Sequence, residues 1–324
     1  MTGIPDPLPL AHLPTPMEPM DRLADHLGLP TGTIWVKRDD CTGLAGGGNK
    51  ARKLAYLCAD ARNQECDVLV TGGGRQSNHV RMTAAAASKL GMDAVLVMAS
   101  DEPDRPTGNV VLDHLFGPTF VWAGPLDYYA LEARIVSEVD RLKAAGRRPY
   151  LMPIGGASIV GALGYVAAVD EMREQLPRID LVVTADGSGG THAGLVAGLG
   201  DHGKVLGVDV GTRPDLAEQV PAKAALAAKA AGRTEPVGRV QLDVDRFGDG
   251  YGAPTDSGRE ALDLGGRLEG LVLDPVYSGK AMAGFIAAVR DGRIEPGQQV
   301  VFLHTGGMPA LFSSRYATWV TVRP

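Results

Sequence analysis

Leu181-Val182-Val183-Thr184 runs into Gly187-Ser188-Gly189-Gly190-Thr191, and a helical pattern begins near His192. A short, uniformly apolar strand that ends on glycines and feeds a helix is the unit of a parallel sheet covered by helices on both faces. The unit recurs along the chain. Asp67-Val68-Leu69-Val70-Thr71 stops at Gly72-Gly73-Gly74, and Ser77-Asn78-His79 then opens an alanine-rich helix ending near Leu90-Gly91. Gln299-Val300-Val301-Phe302-Leu303 closes on His304-Thr305-Gly306-Gly307. Ile34 to Lys37, Ala94 to Met98 and Val205 to Val208 read as further strands, with weaker ones at Phe120 to Trp122 and Tyr150 to Pro153. Leu271-Val272-Leu273 reads as a strand running into Asp274-Pro275-Val276-Tyr277. Helical spacing covers Leu131 to Ala145, ending at Gly146, and a long Ala/Lys helix reaches Lys229.

In open α/β sheets, ligands bind outside the carboxyl ends of the strands. The glycine loops after Val70, Thr184 and Leu303 therefore converge on one crevice, and a fourth glycine stretch joins them. This is Gly46-Gly47-Gly48-Asn49-Lys50-Ala51-Arg52-Lys53-Leu54. Apolar residues at Ala51, Leu54, Ala55, Cys58 and Ala61 mark a helix, with Asn49 as its N-cap and Lys50 in its first turn. A cation there opposes the helix dipole by a few tenths of a kcal/mol, up to ~1. An amine held near positive backbone charge loses basicity and gains nucleophilicity. Lys50 thus reads as a Schiff-base lysine, a phosphate-binding lysine or a solvated surface residue.

The chain has 324 residues, 44% hydrophobic and 22% charged, with a formal charge of −6. That balance gives no reason to expect nucleic acid or acidic membranes as partners. No apolar run approaches the ~20 residues of a membrane span. Met1 to Pro7 lacks the basic and apolar regions of a signal peptide. Cys41, Cys58 and Cys66 have no metal-ligand spacing and suit a reducing cytoplasm. No metal is expected. There is no low-complexity tract, no obvious linker and no fixed-period repeat.

The loop from Gly187 to Thr191 offers free backbone N–H groups, a helix N-terminus and two hydroxyls, a cradle suited to one phosphate. Its glycines do not fit a dinucleotide fingerprint, because the third would fall at His192. A single-phosphate cradle with a separate helix-opening lysine points to pyridoxal phosphate rather than a nucleotide. A cofactor-free binding protein and a nucleotide-dependent oxidoreductase are the alternatives from other classes. The first would dispense with Lys50, and the second is disfavoured by the glycine spacing.

Five motifs occur in order: Lys37-Arg38-Asp39-Asp40, Gly47 to Leu54, Gly74-Arg75-Gln76-Ser77-Asn78-His79, Gly187 to Thr191, and Asp274-Pro275-Val276-Tyr277. Together they resemble the D-cysteine desulfhydrase and 1-aminocyclopropane-1-carboxylate deaminase family, from about Leu10 to Thr305. The resemblance implies fold type II of the pyridoxal-phosphate enzymes, the tryptophan synthase β-like fold, with two open, mostly parallel twisted sheets flanked by helices. It implies a large cofactor-binding domain over 1–46 and 157–324, a small domain over 47–156, and a homodimer.

Carried onto this sequence, the resemblance makes Lys50 the Schiff-base and proton-shuttling residue. Lys53 would reach the phosphate of pyridoxal 5′-phosphate, cradled by Gly187, Ser188, Gly189, Gly190 and Thr191. Asn78 would bond the cofactor 3′-oxygen, and Thr305 would face the pyridine nitrogen. Ser77, with Gln76 and the His79 backbone, would hold the carboxylate of a small amino-acid substrate. Tyr277, with Tyr251 as a second phenol, would stand over the substrate side chain. Plainer roles compete with these. Ser77 suits an N-cap, His79 a packed first-turn residue, Tyr277 a buried phenol, His304 a structural residue, and His192 a support for the phosphate loop.

The ring-opening deaminases are expected to carry Tyr-Glu, with the acid on the pyridine nitrogen, whereas here Ser278 follows Tyr277. That departure leaves β-elimination from a three-carbon amino acid. D-Cysteine, releasing hydrosulfide, is the first expectation, and L-cysteate, releasing sulfite, is the alternative. A sulfonate would want extra donors, for which Arg75, Ser158 and Ser278 are the candidates.

Overall fold

The computed structural model describes residues 3–322, so expectations touching 1, 2, 323 and 324 lie outside the described residues. In chain order the elements are β1 (Met17–Pro19), α1 (Asp21–His26), β2 (Ile34–Lys37), α2 (Lys50–Asn63), β3 (Val68–Gly73), α3 (Asn78–Leu90), β4 (Asp93–Met98) and α4 (Asn109–Leu115). There follow β5 (Thr119–Trp122), α5 (Tyr128–Ala144), β6 (Pro149–Leu151), α6 (Ile159–Gln175), β7 (Leu181–Asp186), α7 (Gly190–Leu199), β8 (Val205–Asp209) and α8 (Leu216–Ala230). The chain closes with β9 (Gln241–Asp243), α9 (Asp256–Glu269), α10 (Ser278–Arg290), β10 (Val300–Leu303) and α11 (Ser314–Thr321).

These strands form two sheets. One has the order β1-β2-β10-β7-β8-β9, and the other β5-β4-β3-β6. All pairings are parallel except β1 with β2. The uniformly apolar strands are buried on both faces, as helices above and below a parallel sheet require. No helix of the described residues is long and apolar enough to cross a membrane.

Three details differ from the sequence reading. Leu271-Val272-Leu273 is extended but unpaired, although Leu271 and Leu273 are buried and Val272 faces out. Its alternation is that of a strand, but it pairs with neither sheet. β3 does not stop before its glycines, because Gly72 and Gly73 pair with Val97 and Met98 of β4. β1 and β9 have three residues each, too few to display a period.

Helix α2 carries the lysine stretch, and its first turns are buried all round. Arg52 and Lys53 are as enclosed as Leu54. The Arg52 guanidinium donates to both Asp39 oxygens (3.0 and 2.9 Å), to Glu171 of α6 (2.9 and 2.8 Å) and to the Thr15 hydroxyl (2.9 Å). Tyr165 donates to Asp39 at 2.5 Å, and Lys37 donates to Glu171 at 2.5 Å. Gly164 of α6 sits directly against the α2 backbone, where a Cβ would lie 2.6 Å from the Arg52 carbonyl carbon. The cluster therefore pins α2 to α6 and to the ends of β2.

Burial by itself pushes the Glu171 carboxyl up, but Arg52 and Lys37 outweigh it and hold the group at about 2. Removing one partner of a buried ion pair costs ~3–5 kcal/mol, because the other charge stays uncompensated. Arg52→Ala should lose about that much stability in urea unfolding, measured at neutral pH. The Glu171 contribution is complete above the ordinary carboxyl pKa and disappears as pH falls toward about 2. Glu171→Gln should accordingly flatten the acid limb of stability against pH; an unchanged acid limb would exclude Glu171 as its source.

Candidate active site

The cavity opens where the carboxyl ends of both sheets meet. It is lined by Asn49 and Lys50 from the glycine loop, by Ser77, Asn78 and His79 at the start of α3, and by Asp186 to Thr191 after β7. Ile154, Gly155, Ala185, Thr212, Tyr277 and Thr305 complete it. All four glycine-bearing loops converge here, as the strand-end argument requires.

Asn49 occupies the N-cap position of α2 but makes no side-chain cap, contrary to the sequence reading. Its amide instead donates to the Thr191 hydroxyl at 3.0 Å, and its oxygen accepts from the Lys50 ammonium at 3.1 Å. The lysine is thereby held beside the glycine loop. Burial pushes the Lys50 amine down to about 8, with the Asp186 charge opposing. Desolvation by the surrounding protein is the larger of the two effects.

Gly189 has φ +82°, and α7 starts at the next residue, so the first amides of α7 point into the cavity without helical partners. A Cβ on Gly190 would lie 2.6 Å from Lys53 Nζ and 2.8 Å from the Ala157 Cα. The hollow exists because that residue is glycine. Lys53 approaches the loop from beneath and donates to the Gly155 carbonyl at 2.6 Å. It does not line the cavity, and burial followed by the neighbouring Lys50 charge pushes its amine well down.

Across the cavity, Ser77 caps α3 by accepting from the Val80 N–H at 3.3 Å, so the plainer role is real. The hydroxyl also lines the cavity beside the free amides of Asn78 and His79. The Asn78 oxygen accepts from Arg81 and from Asn109, each at 3.2 Å, which leaves the amide nitrogen as its remaining donor. His79 bonds Thr71 at 3.1 Å; burial, then the Lys50 and Lys53 charges, push its imidazole well below the ordinary value. Thr305 lines the cavity, and its carbonyl accepts from the Asn49 N–H at 3.1 Å.

Tyr277 and Tyr251 share a hydrogen bond of 2.6 Å. Part of the Tyr251 ring is exposed, but its hydroxyl turns inward, and burial raises both phenols above their ordinary pKa. Beyond the pair lies a second chamber bordered by Gly74, Asp127, Tyr128, Thr212 and the two tyrosines.

Several expected groups lie elsewhere. The Gln76 amide is occupied by the Thr107 carbonyl and the Asn109 N–H, so its side chain turns from the cavity. Arg75 is exposed and donates to the Asp101 carbonyl; Ser158 caps α6; Ser278 is enclosed with Asp274 at 2.7 Å. His304 is buried and accepts from the Gly306 N–H. His192 is buried 2.7 Å from Asp186, behind the Gly187 to Thr191 loop. Asp186, Thr212 and Arg81 escaped the sequence reading. Asp186 ends the β7 run directly before Gly187, and that position was the available signal.

Residues 8–306 match the family described as pyridoxal-phosphate dependent enzymes, and the chain belongs to it. Within that class it is 42% identical to the D-cysteine desulfhydrase of Klebsiella pneumoniae subsp. pneumoniae over 319 residues, 94% of this chain and 95% of the relative. A D-cysteine desulfhydrase of Salmonella newport is likewise 42% identical, over 320 residues covering 94% and 95%. A crystal structure of an ACC deaminase homologue superposes with a TM-score of 0.88 at 36% identity, covering 98% of this chain and 95% of that one. A fungal L-serine ammonia-lyase from Rhizomucor miehei shares the fold, with a TM-score of 0.67 at 17% identity over 95% and 98%. The fold is type II of the pyridoxal-phosphate enzymes.

The residues present fit that cofactor. A buried amine of lowered basicity stands ready for an aldehyde, and a hollow made by Gly190 at a helix N-terminus suits a phosphate monoester. Because only the neutral amine attacks an aldehyde, covalent capture by the apoprotein should rise with pH through about 8. Borohydride trapping followed by peptide mapping should place that midpoint well below the ordinary lysine value, and a midpoint near 10.5 would contradict the burial argument.

Proposed function

We propose that the protein is a β-eliminating lyase that converts D-cysteine and water to pyruvate, hydrogen sulfide and ammonia. One observation carries the choice of leaving group. Among the described residues lining the cavity and the adjoining chamber, Lys50 is the one unpaired cation, and the chamber adds the carboxylate of Asp127. Nearby Arg213 is neutralised by Asp215 at 2.5 and 2.8 Å and lies over the Tyr128 ring. Such walls suit a thiol. A sulfonate would be left without a counter-charge, which argues against L-cysteate, and the enclosed Ser278 argues against cyclopropane ring opening.

Lys50 holds the cofactor, while Ser188 to Thr191 and the α7 amides bind its phosphate, supported from beneath by Lys53. When bound, pyridoxal phosphate supplies an electron sink for the pair released at the substrate α-carbon. Asn78 would donate to the ring oxygen, and Thr305 would face the ring nitrogen. The Ser77 hydroxyl and the amides of Asn78 and His79 bind the substrate carboxylate, as unpaired donors at a helix start do for anions. Lys50 Nζ would take the α-proton. Tyr277, whose hydroxyl stays protonated through burial, gives a proton to the departing sulfur, and Tyr251 keeps it aimed.

The small domain over 47–156 is supported by the four-stranded sheet, and the large domain over 1–46 and 157–324 by the six-stranded sheet. The unpaired Cys41, Cys58 and Cys66 support a cytoplasmic setting. The homodimer rests on the family resemblance, and the small-molecule cavity supports an amino acid as substrate.

Pyruvate and sulfide should appear with D-cysteine and be lost in Lys50→Ala. Sulfite release from L-cysteate, with D-cysteine inert, would overturn the assignment. Tyr277→Phe should keep the cofactor absorbance and lose ~10²–10⁴-fold in kcat, the usual weight of a positioned proton donor. Turnover like the wild type would remove the phenol from the mechanism.

A further inference from the structure

Arg81 is the largest fully buried side chain of the described residues, yet all its hydrogen bonds go to neutral oxygens. Its guanidinium donates to Asn78 Oδ1 (3.2 Å), Asn109 Oδ1 (2.7 Å) and the Gly47 carbonyl (2.9 Å), while its Nε has no partner. A buried cation without a bonded carboxylate is costly, so its retention calls for a reason. The one carboxyl on the neighbouring helix α4 is Asp113, a turn beyond Asn109. It is buried, and neither of its oxygens is hydrogen-bonded. Burial pushes Arg81 down to about 10 and Asp113 up to about 7, each opposed by the other.

A guanidinium has donors and no acceptor, so any amide atom it meets must be the oxygen. That single fact orients two carboxamides. Asn109 must turn its oxygen to Arg81, and its nitrogen then donates to Asn78 Oδ1 (3.2 Å) and to the Gln76 carbonyl (3.0 Å). Asn78 receives two donors on its oxygen and has no choice but to present nitrogen to the cavity. The third arm, on Gly47, grips the loop three residues before Lys50.

We infer that Arg81 is a positioning residue that fixes the Asn78 carboxamide with its nitrogen toward the cavity and ties it to the glycine loop that carries Lys50. Freed of Arg81, the amide can flip and offer an acceptor where the ring oxygen needs a donor. The inference rests on the reading in which Asn78 faces that oxygen.

The test is the absorption of bound pyridoxal phosphate, measured without substrate, alongside its dissociation constant. Asn78→Ala and Arg81→Met should both move absorbance from the visible band toward the near-ultraviolet and weaken cofactor binding about tenfold. Arg81→Lys, which keeps a donor-only cation, should recover part of the shift. If Arg81→Met does not fold, as judged by far-ultraviolet circular dichroism, Asn109→Ala replaces it and should shift the band in the same direction. Folded Arg81→Met or Asn109→Ala protein with an unmoved band, beside a shifted Asn78→Ala, would overturn the inference alone. An unmoved band in Asn78→Ala would remove the reading of Asn78 and the inference with it, while borohydride trapping at Lys50 reports separately on cofactor attachment.

Discussion

The ion cluster around Arg52 is the constraint on which the site depends. One guanidinium joins Asp39 beside β2, Thr15 in the N-terminal segment and Glu171 in α6. Lys50 and Lys53 stand two residues before and one residue after Arg52 on the same helix turn, so a shift of the cluster is a shift of both amines. Enclosing a charged cluster brings little net stability, since desolvation offsets most of the attraction. What it brings is a defined position. Apolar residues could slide by a fraction of a turn at small cost, but five charge-assisted bonds with separate directions cannot.

The cavity also inverts the usual logic of a buried amine. Lys50 is surrounded by protein and has no carboxylate in contact; Asp186 acts on it across the cavity and bonds His192 instead. The helix starts of α3 and α7 add positive partial charge from two sides. An anion-rich ligand meets a field already arranged for it, with little reorganisation on binding.

The strands and glycine loops were legible because burial on both faces leaves a continuous apolar run, and because turns at strand ends need glycine. The Lys50 helix, the Ser77 cap and the Gly187 to Thr191 cradle were read from such local patterns. Long-range partnerships were not legible. Nothing near Asn49 announces that its amide turns to Thr191 rather than capping its own helix, since the bond spans 142 residues. Gln76 read as a substrate ligand because it shares a motif with Ser77, Asn78 and His79, which line the cavity, but a loop 31 residues on takes its side chain. Leu271 to Leu273 alternate like a strand and lack only a strand to pair with, which is a property of the assembled sheet. Arg81 resembled any helical arginine, and burial alone sets it apart.

The six-stranded sheet places β10 between β2 and β7, so the first and last parts of the chain are stitched side by side, with Trp35 bonded to Gln299 across 264 residues. Contacts of such separation close slowly, because loop entropy is lost before they form. The Asp40 and Asn49 amides bond the carbonyls of His304 and Thr305, at the end of β10. The lysine loop therefore has no fixed seat until β10 docks. During synthesis the small sheet, whose strands are all close in sequence, can assemble early, whereas a chain truncated before Val300 would hold every candidate cofactor ligand except Thr305 and still lack the wall against which the lysine loop sets.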